Sequence, residues 1–266
     1  MSLPDLTSIP VLLIDNQNAR VFEDGYHIRR KHSDPDLIEI GIHTPYVTVQ
    51  REEDLLECVR RSMKGKKLFK KENVSELQFH VSQEKREVFS VIASFSEKEN
   101  SMKRLRYGKT LISVKGKMTF NEFDQIVNNP EISKHPDEIK KAVLLLHKFT
   151  TSYFRVNQLN GSTIIESLGK RFCEVLAKQL RKVYNDDALL HMTQSFPPKY
   201  TTSFRSPLRK LLDLCVIQQL ESVEKKLSTE EMKKKVAFRD ELFRAIHDME
   251  VRKNDTRIKL ILSTKT

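Results

Sequence analysis

The sequence predicts a single α/β domain over residues 1–266, with a β-rich first half (1–120) and a mainly helical second half (121–266). Two observations favour this fold class. Before residue 120, short runs of β-branched and apolar residues recur between Pro and Gly breaks, a pattern typical of strands. After residue 120, apolar residues recur at the spacing of helix faces. No internal repeat or low-complexity stretch divides the sequence, so we expect one layered domain.

Strands are predicted over much of the first half. The predicted segments are 11–14, 37–42, 46–49, 88–95 and 103–112. The last segment alternates apolar and basic positions, which is typical of a strand with one outward-facing side. Residues 52–63 are predicted to be helical instead, because Leu55, Leu56 and Val59 fall on one helical face.

Helices are predicted over most of the second half. The segments are a short helix from Asn121, longer helices over 136–154, 162–184, 207–226 and 229–252, and a closing strand over 258–262. Pro207 is placed at a helix start, since proline suits the first helical position. Thr229 followed by Glu230 and Glu231 is typical of a helix cap. These helices are expected to cover the strands of the first half.

The charge balance of the chain is strongly basic. The net charge is +11 at neutral pH, and the sequence pI is about 9.5. A basic balance favours a polyanionic partner, most simply RNA or DNA. The alternative is a basic solvated surface with no specific ligand.

Composition also predicts the compartment. No apolar run approaches the ~20 residues of a membrane span, so no membrane association is expected. The first residues match neither a secretory signal nor a transit peptide. The cysteines Cys58, Cys173 and Cys215 are far apart and each lies beside apolar residues, which indicates buried thiols in a reducing compartment. We therefore expect an intracellular protein, cytoplasmic or nuclear.

Two distant segments carry the residues most suited to chemistry. Residues 14–25 place Asp15, Glu23 and Asp24 in a short turn after an apolar run. Residues 200–209 form a hydroxyl-rich segment that ends in Ser-Pro and Arg209. Carboxylates hold divalent cations and a guanidinium binds phosphate, so this combination suits a metal-assisted phosphodiester site. The alternative for the carboxylates is ordinary turn chemistry after a strand.

These segments resemble the catalytic domain of the ribonuclease II / RNase R family, the RNB domain. In the family motif Ile-Asp-Asp-Pro-x-x-x-Asp-x-Asp-Asp-Ala, Asp15 matches the first Asp, and Glu23 and Asp24 match the last acidic pair. Val21 stands where the motif has the intervening carboxylate. The family strand Val-His-Ile-Ala-Asp-Val matches residues 42–47, where the His is kept and Tyr46 replaces the Asp.

The resemblance continues in the same order along the chain. The family's Leu-Thr-Tyr before a helix is similar to Met118-Thr119-Phe120, which implies that Phe120 stacks on a base near the RNA 3′ end. Its Phe-Thr-Ser-Pro-Ile-Arg-Arg-Tyr-x-Asp-Leu matches residues 204–214, with Arg209 at the position of the phosphate-contacting Arg. The later family His is Ile217. We expect no flanking oligonucleotide-binding (OB-fold) barrels, which grip the RNA in the family.

The resemblance implies a degenerate catalytic site. Its residues would be Asp15, Glu23, Asp24 and Arg209. Asp15 and Asp24 would hold one metal ion weakly, whereas Val21 supplies no ligand. Glu23 adds a methylene, and misplacement of this size costs on the order of 100-fold in rate. No cofactor is expected, apart from Mg²⁺ if some activity remains.

Basic and aromatic residues are predicted to contact RNA. They are Lys66, Lys67, Phe69, Arg106, Phe120, Arg205, Arg209 and Lys210. Lysine and arginine neutralise phosphates, and an aromatic ring stacks on any base. A solvated loop is the alternative for the basic cluster over 64–71. The family fold further implies that the strand at 11–14 is central and packs against the helix near Pro207, bringing Asp15 close to Arg209.

Three functions are compatible with this sequence. The first is a catalytically impaired RNB-fold protein, a pseudo-exoribonuclease that serves as an RNA-binding or structural subunit in an RNA-processing or silencing assembly with protein partners. The second is a minimal magnesium-dependent 3′-to-5′ exoribonuclease. The third is a protein-interaction scaffold that does not bind RNA. Position 21 separates the first two, and convergence of the basic side chains on one groove separates the first from the third.

Overall fold

The computed structural model describes residues 3–47, 52–82, 84–154, 160–184, 188, 190–192, 200–224 and 259–260. The chain forms two compact units. The sheet unit comprises Met1–Tyr46 and Gln78–Arg171, and the helical unit comprises Val47–Leu77 and Phe172–Thr266. The expectation of one domain over 1–266 stays a prediction, and each unit is described by itself.

The elements follow one another in the order of the sequence. They are β1 (Val11–Asp15), β2 (Gly25–Lys31), β3 (Asp34–Pro45), α1 (Glu52–Met63), α2 (Lys71–Leu77), β4 (Arg86–Ser96), β5 (Ser101–Ile112), β6 (Val114–Thr119), α3 (Phe120–Asn128), a short 3-10 turn (Pro130–Ile132), α4 (Asp137–Phe154), α5 (Gly161–Tyr184), β7 (His191–Met192), β8 (Tyr200–Thr201), α6 (Leu211–Glu224) and β9 (Lys259–Leu260). The predicted α/β class is therefore confirmed.

A six-stranded mixed sheet forms the sheet unit, with strand order β5-β4-β3-β2-β1-β6. Neighbouring strands are antiparallel except β1 and β6, which run parallel. The predicted strand at 11–14 is therefore interior, one position from the edge. The carboxyl ends of a parallel pair meet at one sheet edge, so Asp15 lies in register with Thr119.

Both faces of the sheet carry apolar cores. On one face, Gly116 lets α4 approach, because a Cβ there would lie 2.7 Å from Ile139 Cδ1. At the other end of α4, Phe149 packs edge-on to Phe95 with ring centroids 4.9 Å apart. A separate buried cluster includes Val11 and Phe79. Burial on both faces explains why the first four residues of β1 are apolar.

The helical unit packs α1, α2, the second part of α5 and α6, with a three-stranded sheet in the order β8-β7-β9. Its buried residues include Cys58, Leu180 and Leu214. The Tyr184 hydroxyl donates to the Gln219 carbonyl at 2.8 Å and joins α5 to α6. All three cysteines are buried free thiols, as their apolar neighbours predict.

The end of α1 orders the basic segment that follows it. Gly65 has φ +67°, and its N–H donates to the Ser62 carbonyl at 2.9 Å. The Lys66 N–H donates to the Arg61 carbonyl at 2.9 Å, which completes a Schellman cap. Arg61 Nε in turn donates to the Lys67 carbonyl at 2.9 Å. The basic cluster is therefore a loop whose backbone is held by hydrogen bonds.

Several predicted elements differ from the structure. β2, β6 and α2 are not predicted by the sequence patterns. Tyr46 lies beyond the end of β3 rather than in a strand of its own. Pro207 does not start a helix, because the Ser206 carbonyl accepts from the Arg209 and Lys210 N–H groups and closes a turn before α6. The predicted helix over 229–252 lies outside the described residues. No described helix is long and apolar enough to span a membrane.

Candidate functional site

The carboxyl edge of the β1/β6 pair brings two predicted site residues together. Asp15 ends β1 beside Thr119, and Phe120 begins α3 in the next position. Thr119 caps α3 reciprocally with Glu122: its hydroxyl accepts from the Glu122 N–H at 3.2 Å, while the Glu122 carboxylate accepts from the Thr119 N–H at 2.7 Å. This capping box fixes the start of α3, so Phe120 is held half-buried at the edge where Asp15 lies.

The acidic residues Glu23 and Asp24, which follow β1, have partners within the sheet unit. Glu23 is only 1% exposed. The preceding residue is anchored, since the Phe22 carbonyl accepts from the Phe79 N–H at 2.8 Å and the Lys117 ammonium lies 3.9 Å from the Phe22 ring centroid. Asp24 accepts a hydrogen bond from the Tyr26 hydroxyl at 2.6 Å. Glu23 and Asp24 therefore take part in the packing of the sheet unit.

The acidic side chains do not fit a two-magnesium site. Magnesium needs several oxygen ligands, and two ions need shared carboxylates. In the described part of the chain, no three His, Cys, Asp or Glu side chains are placed to hold one metal ion. The Val21 side chain has no oxygen that could bind a metal ion. The Glu23 carboxylate is buried, so it cannot bind an ion that solvent reaches. One weak ion site at Asp15 and Asp24 stays a prediction.

Tyr46, which replaces the Asp of the family strand Val-His-Ile-Ala-Asp-Val, has a different role. The Lys109 ammonium lies 3.9 Å from the centroid of its ring. The same ammonium pairs with Glu87 at 3.0 Å. Partial burial disfavours the charged ammonium, but Glu87 and Tyr46 outweigh that effect and raise the pKa of Lys109. The Tyr46 side chain therefore contacts an ammonium group through its ring and supplies no carboxylate of its own to a metal ion.

The segment around Arg209 is organised by a buried carboxyl group. Asp213 is 1% exposed, and its Oδ2 accepts from the Ser206 N–H at 2.8 Å. Burial raises the pKa of Asp213. Arg209 Nη2 donates to the Ser206 hydroxyl at 3.2 Å. Arg209 and Lys210 are exposed, whereas Arg205 is half-buried.

The remaining predicted RNA contacts lie in both units. In the helical unit, Lys66 and Lys67 are exposed and Phe69 is half-buried. In the sheet unit, Arg106 is half-buried and donates to Glu39 at 2.9 Å. Asp15 belongs to the sheet unit and Arg209 to the helical unit, so their proximity stays a prediction.

Sequence reasoning missed a buried polar network in the sheet. His27 Nδ1 lies 2.7 Å from His43 Nε2, and His43 Nδ1 lies 2.6 Å from the Ser90 hydroxyl. Ser90 in turn lies 2.6 Å from the Thr110 hydroxyl. Glu39 approaches His27 Nε2 at 3.7 Å. The network thus crosses four neighbouring strands, β2 to β5.

Burial controls the protonation of this network. Desolvation lowers the pKa of His27 and lowers the pKa of His43 further, so both rings are neutral at pH 7. Burial also disfavours the Glu39 carboxylate, but His27 and the guanidinium groups of Arg29 and Arg106 outweigh it and lower the pKa of Glu39 to about 2. The network therefore combines neutral imidazoles with one buried negative charge.

A sequence signal for this network was present. Residues 38–43 alternate Ile with Glu39, Gly41 and His43, which places the polar positions on one face of β3. The partners on the other strands were not identifiable, because their register depends on strand pairing.

Solved structures of low sequence identity have the same fold. The RNase R of Mycoplasma genitalium in complex with ribose-methylated single-stranded RNA matches with a TM-score of 0.75 and 11% identity, over 94% of this chain and 56% of its own. The Dss1 exoribonuclease of Candida glabrata, an active-site mutant, matches with a TM-score of 0.69 and 14% identity, over 86% of this chain and 42% of its own. Yeast Ssd1, a pseudonuclease, matches with a TM-score of 0.67 and 14% identity, over 87% of this chain and 42% of its own.

The chain thus spans 42% to 56% of the length of these three proteins. No protein-family model matches the sequence, and no curated protein matches it. The RNB-like fold implied by the sequence motifs is confirmed.

Proposed function

We propose that this chain is a non-catalytic RNB-fold protein that binds single-stranded RNA as a subunit of an RNA-processing or silencing assembly. The observation that carries the loss of catalysis is the burial of Glu23, which is 1% exposed. A metal-assisted hydrolysis needs carboxylates at a surface that water and substrate reach. Here Val21 and Tyr46 stand where the family motifs have carboxylates, and Asp24 accepts a hydrogen bond from the Tyr26 hydroxyl.

The basic loops of the helical unit support RNA binding. Lys66 and Lys67 project from a loop fixed by Arg61, and Arg209 and Lys210 project from a turn fixed by Asp213. Exposed cations on ordered loops neutralise phosphates without reading sequence. The matching structures include an RNase R bound to RNA and a pseudonuclease, so RNA binding without cleavage is compatible with this fold.

A protein partner is part of the same proposal, and so is localisation in the cytoplasm or nucleus.

RNA affinity is expected to be weak and steeply dependent on salt. The four loop contacts from Lys66, Lys67, Arg209 and Lys210 contribute about −3 to the log–log salt slope for a single strand. Arg209→Glu/Lys210→Glu is expected to weaken binding by at least about tenfold and to make the slope shallower by about 1.4. Fluorescence anisotropy with a labelled single-stranded oligouridylate at several salt concentrations measures both quantities.

The matched control is Lys141→Glu/Lys148→Glu, which changes the net charge equally at two exposed positions on α4. It should alter affinity by less than about threefold, since it removes no proposed phosphate contact. Absence of binding at low salt would favour the scaffold alternative, whereas equal weakening by both double variants would show that these loops are not the phosphate contacts.

A second candidate, a minimal 3′-to-5′ exoribonuclease, is favoured by one observation: Asp15 remains at the carboxyl edge beside Phe120. We expect no measurable shortening of single-stranded RNA by purified protein with Mg²⁺ or Mn²⁺. Chromatography of the products detects nucleoside monophosphates. Their ready release, abolished by Asp15→Asn while circular dichroism stays unchanged, would establish this second candidate and refute the first.

A further inference from the structure

A second basic surface lies on the sheet unit, at residues that the RNA-binding loops above do not include. We call it the sheet patch and define it by Arg29, Lys31, Arg104 and Arg106. Strand pairing places Arg29 opposite Glu39, Glu39 opposite Ser94, and Ser94 opposite Arg104. Residues directly opposite each other point to the same face of a sheet, so this row lies on one face.

A buried carboxylate organises the sheet patch. Glu39 is 2% exposed, and its Oε1 lies 2.6 Å from Arg29 Nη2. Its Oε2 lies 2.9 Å from Arg106 Nη2 and 3.7 Å from Lys31 Nζ. The side chains of Arg29 and Arg106 remain 35% and 38% exposed. Glu39 therefore fixes two guanidinium groups that solvent still reaches.

The geometry leaves donors for a ligand. Glu39 bonds Nε and Nη2 of Arg29 but only Nη2 of Arg106. Each guanidinium therefore keeps at least one nitrogen that Glu39 does not bond. Arg104 is exposed on the same face. The four cations of the patch outnumber two carboxylates, those of Glu39 and of Asp34, which pairs with Lys31 across the strands. A guanidinium fork that is already oriented loses little freedom when it binds an anion.

We propose that the sheet patch binds backbone phosphates of single-stranded RNA. Paired guanidinium groups match the oxygens of a phosphate. A protein partner is less favoured, because the patch residues include none of the aromatic residues or Met that, together with Arg, are enriched in the cores of protein interfaces. The inference rests on the proposed function, because it takes RNA as the ligand. It adds a contact surface on the sheet unit to the loops of the helical unit.

The test removes positive charge from the patch while leaving Glu39 with ion-pair partners. Lys31→Gln/Arg104→Gln keeps Arg29 and Arg106, the two groups that neutralise Glu39. Anisotropy with the labelled oligouridylate is expected to show about three- to tenfold weaker binding and a salt slope shallower by about 1.4. Lys141→Gln/Lys148→Gln on α4 is the control and should leave both quantities unchanged. Thermal unfolding followed by circular dichroism checks that each variant is folded.

The outcomes separate this inference from the proposed function. Weaker binding by the patch variant but not by Arg209→Glu/Lys210→Glu would support phosphate binding by the patch and refute phosphate binding by the loops. Weaker binding by Arg209→Glu/Lys210→Glu alone would overturn RNA binding by the patch and leave the proposed function intact. Competition by polyglutamate as effective as that by unlabelled polyuridylate of equal charge would also overturn it, since the patch would then be a docking site for acidic protein.

Discussion

Replacing Gly41 by alanine is expected to destabilise the protein by roughly 2–4 kcal/mol. A Cβ built on Gly41 would lie 2.3 Å from Cε1 and 2.6 Å from Nδ1 of His27. The imidazole cannot move aside freely, since its side chain is 0% exposed and Nδ1 bonds His43. Displacing the ring would leave a nitrogen of His43 buried without a partner, which alone costs about 1–3 kcal/mol.

Urea unfolding followed by circular dichroism measures this loss. The matched control is Gly116→Ala, another glycine in the same sheet. There the new Cβ would meet Ile139 Cδ1 at 2.7 Å, which is the end of a flexible aliphatic side chain. We expect a cost below about 1.5 kcal/mol at Gly116, because that rotamer shifts without breaking a hydrogen bond. A cost at Gly41 no larger than at Gly116 would show that His27 is not held as the structure indicates.

Stability is expected to fall steeply as the pH is lowered below about 6.5. Burial lowers the pKa of both His27 and His43, so the unfolded chain binds their protons at a higher pH than the folded chain does. The stabilisation is therefore fully present above the unfolded pKa of 6.5 and is lost as the pH falls. Each histidine contributes up to about 1.4 kcal/mol per pH unit to the slope of the free energy of unfolding.

Glu39 extends the loss of stability to lower pH. Its pKa is lowered from 4.5 to about 2, so the stabilisation that it contributes is present above pH 4.5 and is lost as the pH falls towards 2. Urea unfolding at a series of pH values measures the combined slope. His27→Gln should reduce the slope between pH 6.5 and 5 by about half, whereas His32→Gln, at an exposed position, should leave it unchanged. Equal slopes for wild type and His27→Gln would contradict this account.

Local patterns in the sequence predicted much of the fold. The segments at 11–14, 88–95 and 103–112 are strands, since β-branched and apolar runs favour strands wherever they pack. β2 was missed because three of its seven residues are Arg or Lys, a composition that is not typical of a strand. Two of these cations, Arg29 and Lys31, lie beside Glu39. Pro207 was misplaced for a similar reason: a proline suits a turn as well as a helix start, and hydrogen bonds to Ser206 decide between them.

The candidate site was predicted to a lesser extent. The motifs identified Asp15, Asp24 and Arg209, and the structure describes the surroundings of each. They did not indicate that Glu23 is buried. The neighbouring Phe22 accepts a hydrogen bond from Phe79, a residue far away in the sequence, and local patterns do not predict such a contact. They also did not indicate that Arg106 has a carboxylate partner, because Glu39 lies 67 positions away along the chain.

The sequence by itself determined the α/β class, the order of most strands and helices, and the residues at the motif positions, including Val21 and Tyr46. These properties depend on residue type and on patterns within a few positions. Only the tertiary structure decided which carboxylates reach solvent and which cations share a partner. The reason is physical: burial and ion pairing depend on the register of strands that are distant in sequence. The pairing of β2, β3, β4 and β5 assembled the network around His27 and Glu39.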